Sequence, residues 1–359
     1  MTGAHPPRAP GAGARLAALG ILLSLCGCAP QATALLPPGN LTTAVFTRYS
    51  PLSRTAEIAR RTLTPLTVAR GEEALSVRGQ ALREQSIDLT KEEFTVYLPA
   101  GPPPKSGYGL LVFVAPWPEA TRPQIWRPPL DRHGLIFVSA ARSGNEATIL
   151  DRRLPLALLA YENIRARYPI DSKRVYIGGL SGGARAAQVT ALAYPDIFHG
   201  ALLNAGSDPI GGEAGIYLPP ADLFRKFQQT RLVYVTGEHD AVNQHDDALS
   251  QASMRDWCVF DLKILVARGL SHEPLDRRSL DLALDALEQP PAVDAGALAR
   301  CNARIQQELA AKLSGAAAAI AGGDGDGARA QLNAIDGNYG GLAAPAIVDL
   351  DAKLAALRR

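Results

Sequence analysis

Between residues 108 and 288, short apolar runs alternate with stretches in which apolar side chains recur every three to four positions. Residues 110–115 are a continuous apolar run, the pattern of a strand buried on both faces of a sheet. Residues 135–139 are another. Residues 152–168 carry Leu154, Leu158, Tyr161 and Ile164 at helical spacing and stop before Pro169. The alternation continues with strands expected at 175–177, 201–203, 232–235 and 262–266. Helices are expected at 184–194, 222–229, 247–257 and 277–287. Strand–helix alternation joined by short turns predicts βαβ units, and so an α/β protein with a mainly parallel sheet flanked by helices.

The flanks read differently. Residues 41–85 form a partly helical segment, with helix formers at 53–62 and 71–85 and a break at Pro65. From Ser86 the period shortens, and Ile87, Leu89, Phe94, Val96 and Leu98 predict strands. Pro290-Pro291 closes the main domain, 86–289. The extension 290–359 reads as a small helical appendage, with helices at 292–320, 328–336 and 345–358.

At the other end, Arg8 and Arg15 precede an apolar run, 16–25, too short to span a bilayer. Residues 1–27 thus read as a signal peptide, set aside from the fold. The run ends in Leu25-Cys26-Gly27-Cys28, which resembles the bacterial lipobox and makes Cys28 the expected site of lipidation. Residues 28–40, with three prolines, then serve as a lipidated tether. The expectation is an exported bacterial lipoprotein, anchored to a membrane through its lipid. Ala29 carries no acidic retention signal, which favours the outer membrane, facing the periplasm. In that oxidising compartment Cys258 and Cys301 either pair, tying the extension to the main domain, or remain two buried thiols.

Composition narrows the chemistry. The chain is 47% hydrophobic and 20% charged, with a net charge of +2 and no basic cluster, so nucleic acid is not an expected partner. The folded region has no histidine pair at helical spacing, no cysteine pair suited to zinc and no glycine-rich phosphate loop. No metal and no cofactor are expected.

What does stand out is Gly179-Leu180-Ser181-Gly182-Gly183, set between a predicted strand and a predicted helix. A serine in such a tight turn needs flanking glycines, and the turn lifts its hydroxyl above the carboxyl edge of the sheet. The Gly182 N–H is then aimed at developing negative charge. Such a nucleophile takes its acid, and then its base, from the ends of later strands. Asp240 follows the strand at 232–235; its rivals are Glu238, Asp246 and Asp247, the last two read as solvated helix positions. His272 follows the strand at 262–266. Of the other histidines, His5 is in the leader, His133 and His199 precede strands, and His239 and His245 share the acid's own loop.

Residues 174–184 (Arg-Val-Tyr-Ile-Gly-Gly-Leu-Ser-Gly-Gly-Ala), with Tyr194-Pro195-Asp196-Ile197-Phe198 after them, resemble polyhydroxybutyrate-depolymerase-like and feruloyl-esterase-like hydrolases. These belong to the α/β-hydrolase superfamily, and the resemblance spans about residues 87–288. It implies the α/β-hydrolase fold and a serine esterase acting on a small-molecule or polymer ester. Ser181, Asp240 and His272 would form the catalytic triad, working through an acyl-enzyme. One departure stands against it. Such esterases carry a His-Gly motif after the strand equivalent to 110–115, and its loop supplies the second oxyanion-hole N–H. Here the loop reads Ala115-Pro116-Trp117-Pro118-Glu119, and the prolines have no N–H to give. Ala115 or Trp117 must serve, and Trp117 is the candidate beside Gly182. Trp117 and Trp126 either wall a substrate pocket or simply pack. Two other functions remain open on these residues: a serine peptidase with the same triad, and a non-catalytic or weakly active envelope protein that uses the scaffold for binding.

Overall fold

The computed structural model describes residues 1–3, 37–211, 216–290 and 292–357. The chain divides into a unit of residues 1–34, described only at its first three, and a unit of residues 35–359, to which everything below refers. Cys28 and the expected signal peptide beyond Gly3 lie outside the described residues.

The apolar runs become strands of one sheet. In chain order these are β1 (Leu41–Ala44), β2 (Phe94–Tyr97), β3 (Tyr108–Val114), β4 (Leu135–Ala140) and β5 (Ile170–Leu180). They are followed by β6 (Gly200–Asn204), β7 (Arg231–Gly237) and β8 (Leu262–Ala267). The spatial order is β1-β2-β4-β3-β5-β6-β7-β8. β2 runs antiparallel to both its neighbours and the rest are parallel. This is the α/β-hydrolase fold. The helices are α1 (Thr55–Thr62), α2 (Pro65–Val77), α3 (Arg127–His133), α4 (Leu154–Arg165), α5 (Gly182–Ala193) and α6 (Ala221–Phe227). Beyond them come α7 (Ala241–Asp256), α8 (Arg277–Glu288), α9 (Ala295–Ala321), α10 (Gly325–Tyr339) and α11 (Ala346–Ala356).

A period of two sorts the strand side chains onto two faces. In β3, Leu110, Val112 and Val114 enter one core, while Leu111 and Phe113 enter another. The first core is completed by α4, α5 and α6, the second by α3 and α8. Each fully buried Leu, Ile, Val or Phe contributes about 1.5–3 kcal/mol over its exposed state, which is why the parallel strands read as unbroken apolar runs.

The flanks depart from expectation in four ways. Residues 41–44, within the segment read as partly helical, form the edge strand β1. Pro65 does not break a helix but begins one. Its fixed φ suits the first helical position, and Thr64 caps the turn by accepting from the Thr67 N–H at 3.4 Å. That helix stops at Val77, and Gly79, at φ +64°, turns the chain out of it, so 78–85 is not helical. Of the strand expected from Ile87 onward only 94–97 forms, because Leu89 is buried in a short 3₁₀ turn instead.

The extension has its own core. Side chains of α9, α10 and α11 close around Leu66 of α2, whose N–H donates to Asp336 Oδ1 at 3.0 Å. Cys258, just after α7, and Cys301 in α9 are joined as a disulfide across 43 residues of chain.

Candidate active site

Three strand ends converge at the carboxyl edge of the sheet. β5 passes through Ser181 into α5, and Ser181 holds φ 56° and ψ −126°, a conformation costly for any residue with a side chain. Close packing enforces it. A Cβ built on Gly179 would lie 2.2 Å from the Gly183 carbonyl carbon, and one on Gly183 would lie 2.0 Å from the Val114 carbonyl oxygen. The Ser181 N–H donates to the Asn204 carbonyl at 2.8 Å, and its own carbonyl accepts from the N–H groups of Ala184 and Arg185. The helical ladder therefore begins beyond Gly182, whose N–H stays outside it. Leu180 is buried in the second core.

β7 leads to Asp240, the N-cap of α7. His272 lies on the loop after β8. Its Nδ1 donates to Asp240 Oδ2 at 2.7 Å, and its Nε2 lies 2.8 Å from Ser181 Oγ. With Nδ1–H given to a carboxylate, Nε2 is the nitrogen free to accept a hydrogen bond from the serine hydroxyl. The Asp240 side chain is 7% exposed and that of His272 is 43% exposed, so the acid is sheltered while the base opens to solvent. Burial raises the pKa of the Asp240 carboxyl. Hydrogen bonds from Asn243 and His272 outweigh burial and hold it below its ordinary value, so it stays ionised beside the imidazole.

Asn243 was not singled out in the sequence. Its Nδ2 donates to both Asp240 oxygens at 2.9 Å and lies 3.0 Å from His272 Nδ1. The available signal was the spacing Asp240-x-x-Asn243 at a helix start, where the third helical residue faces the cap. The rivals of Asp240 go elsewhere. Glu238 accepts from the Gly269 N–H, and Asp246 pairs with Arg185 at 3.1 Å. Asp247, expected to be solvated, is buried and accepts from the hydroxyls of Ser207 and Thr236. Burial pushes its carboxyl above the ordinary value against those two donors. The helix turns this position inward, onto the ends of β6 and β7.

The loop after β3 is held through its carbonyls. Pro116 accepts from the Asn145 N–H at 2.9 Å, Pro118 from the Arg142 N–H at 2.5 Å, and Ala115 from Arg153 Nη2 at 3.1 Å. None of these bonds uses the Trp117 N–H. The Trp117 indole donates to Thr121 Oγ1 at 2.9 Å and is part-buried. Trp126 does not wall a pocket. It is 1% exposed, meets Phe113 and Phe137 edge-on, and donates to the Leu275 carbonyl at 2.7 Å.

The arrangement can withdraw a proton from a serine hydroxyl beside a helix-start N–H that takes no part in the helical ladder. That is the equipment of acyl transfer.

Comparison with known proteins is limited in reach. No family model matches the chain. A stretch of 45 residues, 12% of the chain, is 49% identical to poly(3-hydroxyalkanoate) depolymerase C of Paucimonas lemoignei, and it spans 11% of that protein's length. Among solved structures, a ferulic acid esterase is 18% identical over 54% of this chain and 89% of its own, with a TM-score of 0.40. Est1E from Butyrivibrio proteoclasticus is 14% identical over 57% of this chain and 95% of its own, with a TM-score of 0.41. S-formylglutathione hydrolase from Staphylococcus aureus is 14% identical over 55% of this chain and 92% of its own, with a TM-score of 0.43.

Proposed function

We propose that this protein is a serine hydrolase of carboxylic esters. The observation that carries the reading is the unbroken series of hydrogen bonds from Asp240 through His272 to Ser181. His272 takes the Ser181 proton as Oγ attacks the ester carbonyl, and the carbonyl electrons move onto its oxygen. The Gly182 N–H and the Trp117 N–H donate to that oxyanion. Collapse expels the alcohol, which takes the proton back from His272, and leaves an acyl-serine. Water, deprotonated by the same imidazole, then releases the acid. Asp240 keeps the ring in its working tautomer and stabilises the imidazolium, and Asn243 holds Asp240 in place.

A fluorophosphonate probe tests the reading directly, since it reacts only with an activated serine. The expected result is a single adduct on the peptide containing Ser181, lost in the Ser181→Ala protein. A folded protein that takes up no probe would instead favour a binding scaffold.

The membrane anchor is part of the same proposal. Several acyl chains on Cys28 hold a protein stably where one binds only marginally. Wild type expressed in a bacterium is expected in the membrane fraction with incorporated palmitate. Cys28→Ala is expected to lose the label and leave that fraction. Equal membrane retention without label would refute lipidation as the anchor.

A further inference from the structure

Position 182 lies against the end of the Asn145 side chain. Its φ is not in the left-handed region, yet a Cβ built on it would fall 2.2 Å from Asn145 Oδ1 and 3.3 Å from Asn145 Nδ2. The Asn145 carboxamide thus occupies the volume that a side chain next to the nucleophile would take. It lies against the residue whose N–H faces the developing oxyanion.

Its orientation is set from behind. Arg153, 4% exposed, donates from Nε to the Ser143 carbonyl at 2.9 Å and from Nη2 to the Ala115 carbonyl at 3.1 Å. The same Nη2 approaches Asn145 Oδ1 at 3.5 Å. A guanidinium can only donate, so it selects the amide oxygen and leaves the two Nδ2 hydrogens turned away from it. The Asn145 backbone is fixed as well, through its N–H to the Pro116 carbonyl at 2.9 Å. Among the described residues no carboxylate lies within ion-pair distance of Arg153, and Glu146 offsets its charge only from farther away. A positive charge there favours negative charge arising in front of it.

We propose that the Asn145 side chain is an oxyanion-hole donor. It works beside the Gly182 and Trp117 N–H groups, where a loop with prolines at 116 and 118 has no further N–H to give. As Ser181 Oγ bonds to the carbonyl carbon and its proton passes to His272 Nε2, the displaced electron pair settles on the carbonyl oxygen, and Asn145 Nδ2–H donates to it. This rests on the ester-hydrolase reading above.

The test compares kcat and KM for p-nitrophenyl butyrate in full-length wild type, Asn145→Ala, Asn145→Asp and Ser181→Ala. Urea midpoints are recorded for each. Asn145 is solvent-exposed, so neither of its substitutions is expected to unfold the protein. Both are expected to lower kcat roughly 100- to 1000-fold, the usual effect of deleting one such donor, with KM within about threefold. Asp is the sharper variant. It keeps the shape and the contact with Arg153 but has no hydrogen to give and sets a like charge against the oxyanion, so it should be no faster than Ala. A merely structural asparagine would behave oppositely, with Asp retaining more activity than Ala. That outcome, or an Asn145→Ala kcat within threefold of wild type, overturns the proposal. Should Asn145→Ala unfold, Asn145→Leu, similar in shape with no hydrogen to give and no charge, takes its place under the same criterion. Wild-type activity no higher than that of Ser181→Ala would sink the underlying reading, and this inference with it.

Discussion

Replacing Ser181 by alanine is expected to lower kcat for p-nitrophenyl butyrate roughly 10⁴- to 10⁶-fold, while the urea midpoint stays close to that of wild type. The size follows from what Oγ does. In the proposed mechanism it forms the bond to the acyl carbon, and its 2.8 Å contact with His272 Nε2 is the route by which its proton leaves. Without it, the imidazole and the oxyanion donors can act only on water, so a small residual rate is expected above solution. Stability should barely change. The cost of φ 56° is incurred by alanine as by serine, and the turn is enforced by backbone contacts at Gly179 and Gly183 that the substitution leaves alone. The result would be a folded, inactive protein. An unchanged rate would mean that the hydrolysis comes from another site, and the assignment of Ser181 would fail.

The second large effect concerns stability. Cys258→Ser, alone or with Cys301→Ser, is expected to cost about 4 kcal/mol, the loop-closure entropy that a cross-link spanning 43 residues removes from the unfolded chain. In a chain of this size, that corresponds to a fall in Tm of about 5 °C. The bond joins the end of α7 to α9, where Trp257 meets Tyr339 edge-on at 5.6 Å. It therefore fastens the helical extension to the sheet domain. Asp240 is at the other end of α7, a 16-residue helix about 24 Å long, so activity at 25 °C should be retained. Urea unfolding of the oxidised protein and the variant, followed by tryptophan fluorescence, measures the difference. Equal midpoints would mean that the third core alone holds the extension.

Much of the architecture is legible in the chain because parallel strands buried on two faces leave a strong trace. The runs at 110–115, 135–139 and 232–235 carry too many consecutive apolar residues for any half-exposed element. The meeting of three polar side chains is legible too. Ser181, Asp240 and His272 each follow an apolar run, and all those runs point the same way, so their ends must share one edge. Local pattern failed at the flanks. A proline reads as a breaker until its position within the helix is known, and 41–44 has too few residues to announce a strand that exists only because β2 offers it an edge.

Tertiary structure alone decided the rest. Asn145, Arg153 and Asn243 carry no motif, and their contacts depend on how the loops after β3, β4 and β7 are stacked. Asp247 looked like one more polar helix residue, and its burial depends on which face of α7 meets the strand ends. Leu66 and Asp336 stand 270 positions apart and meet only once the extension has folded back onto α2. Periodicity in a sequence reports which face of an element is covered. It carries no information about what covers it, because that is set by contacts between residues far apart along the chain.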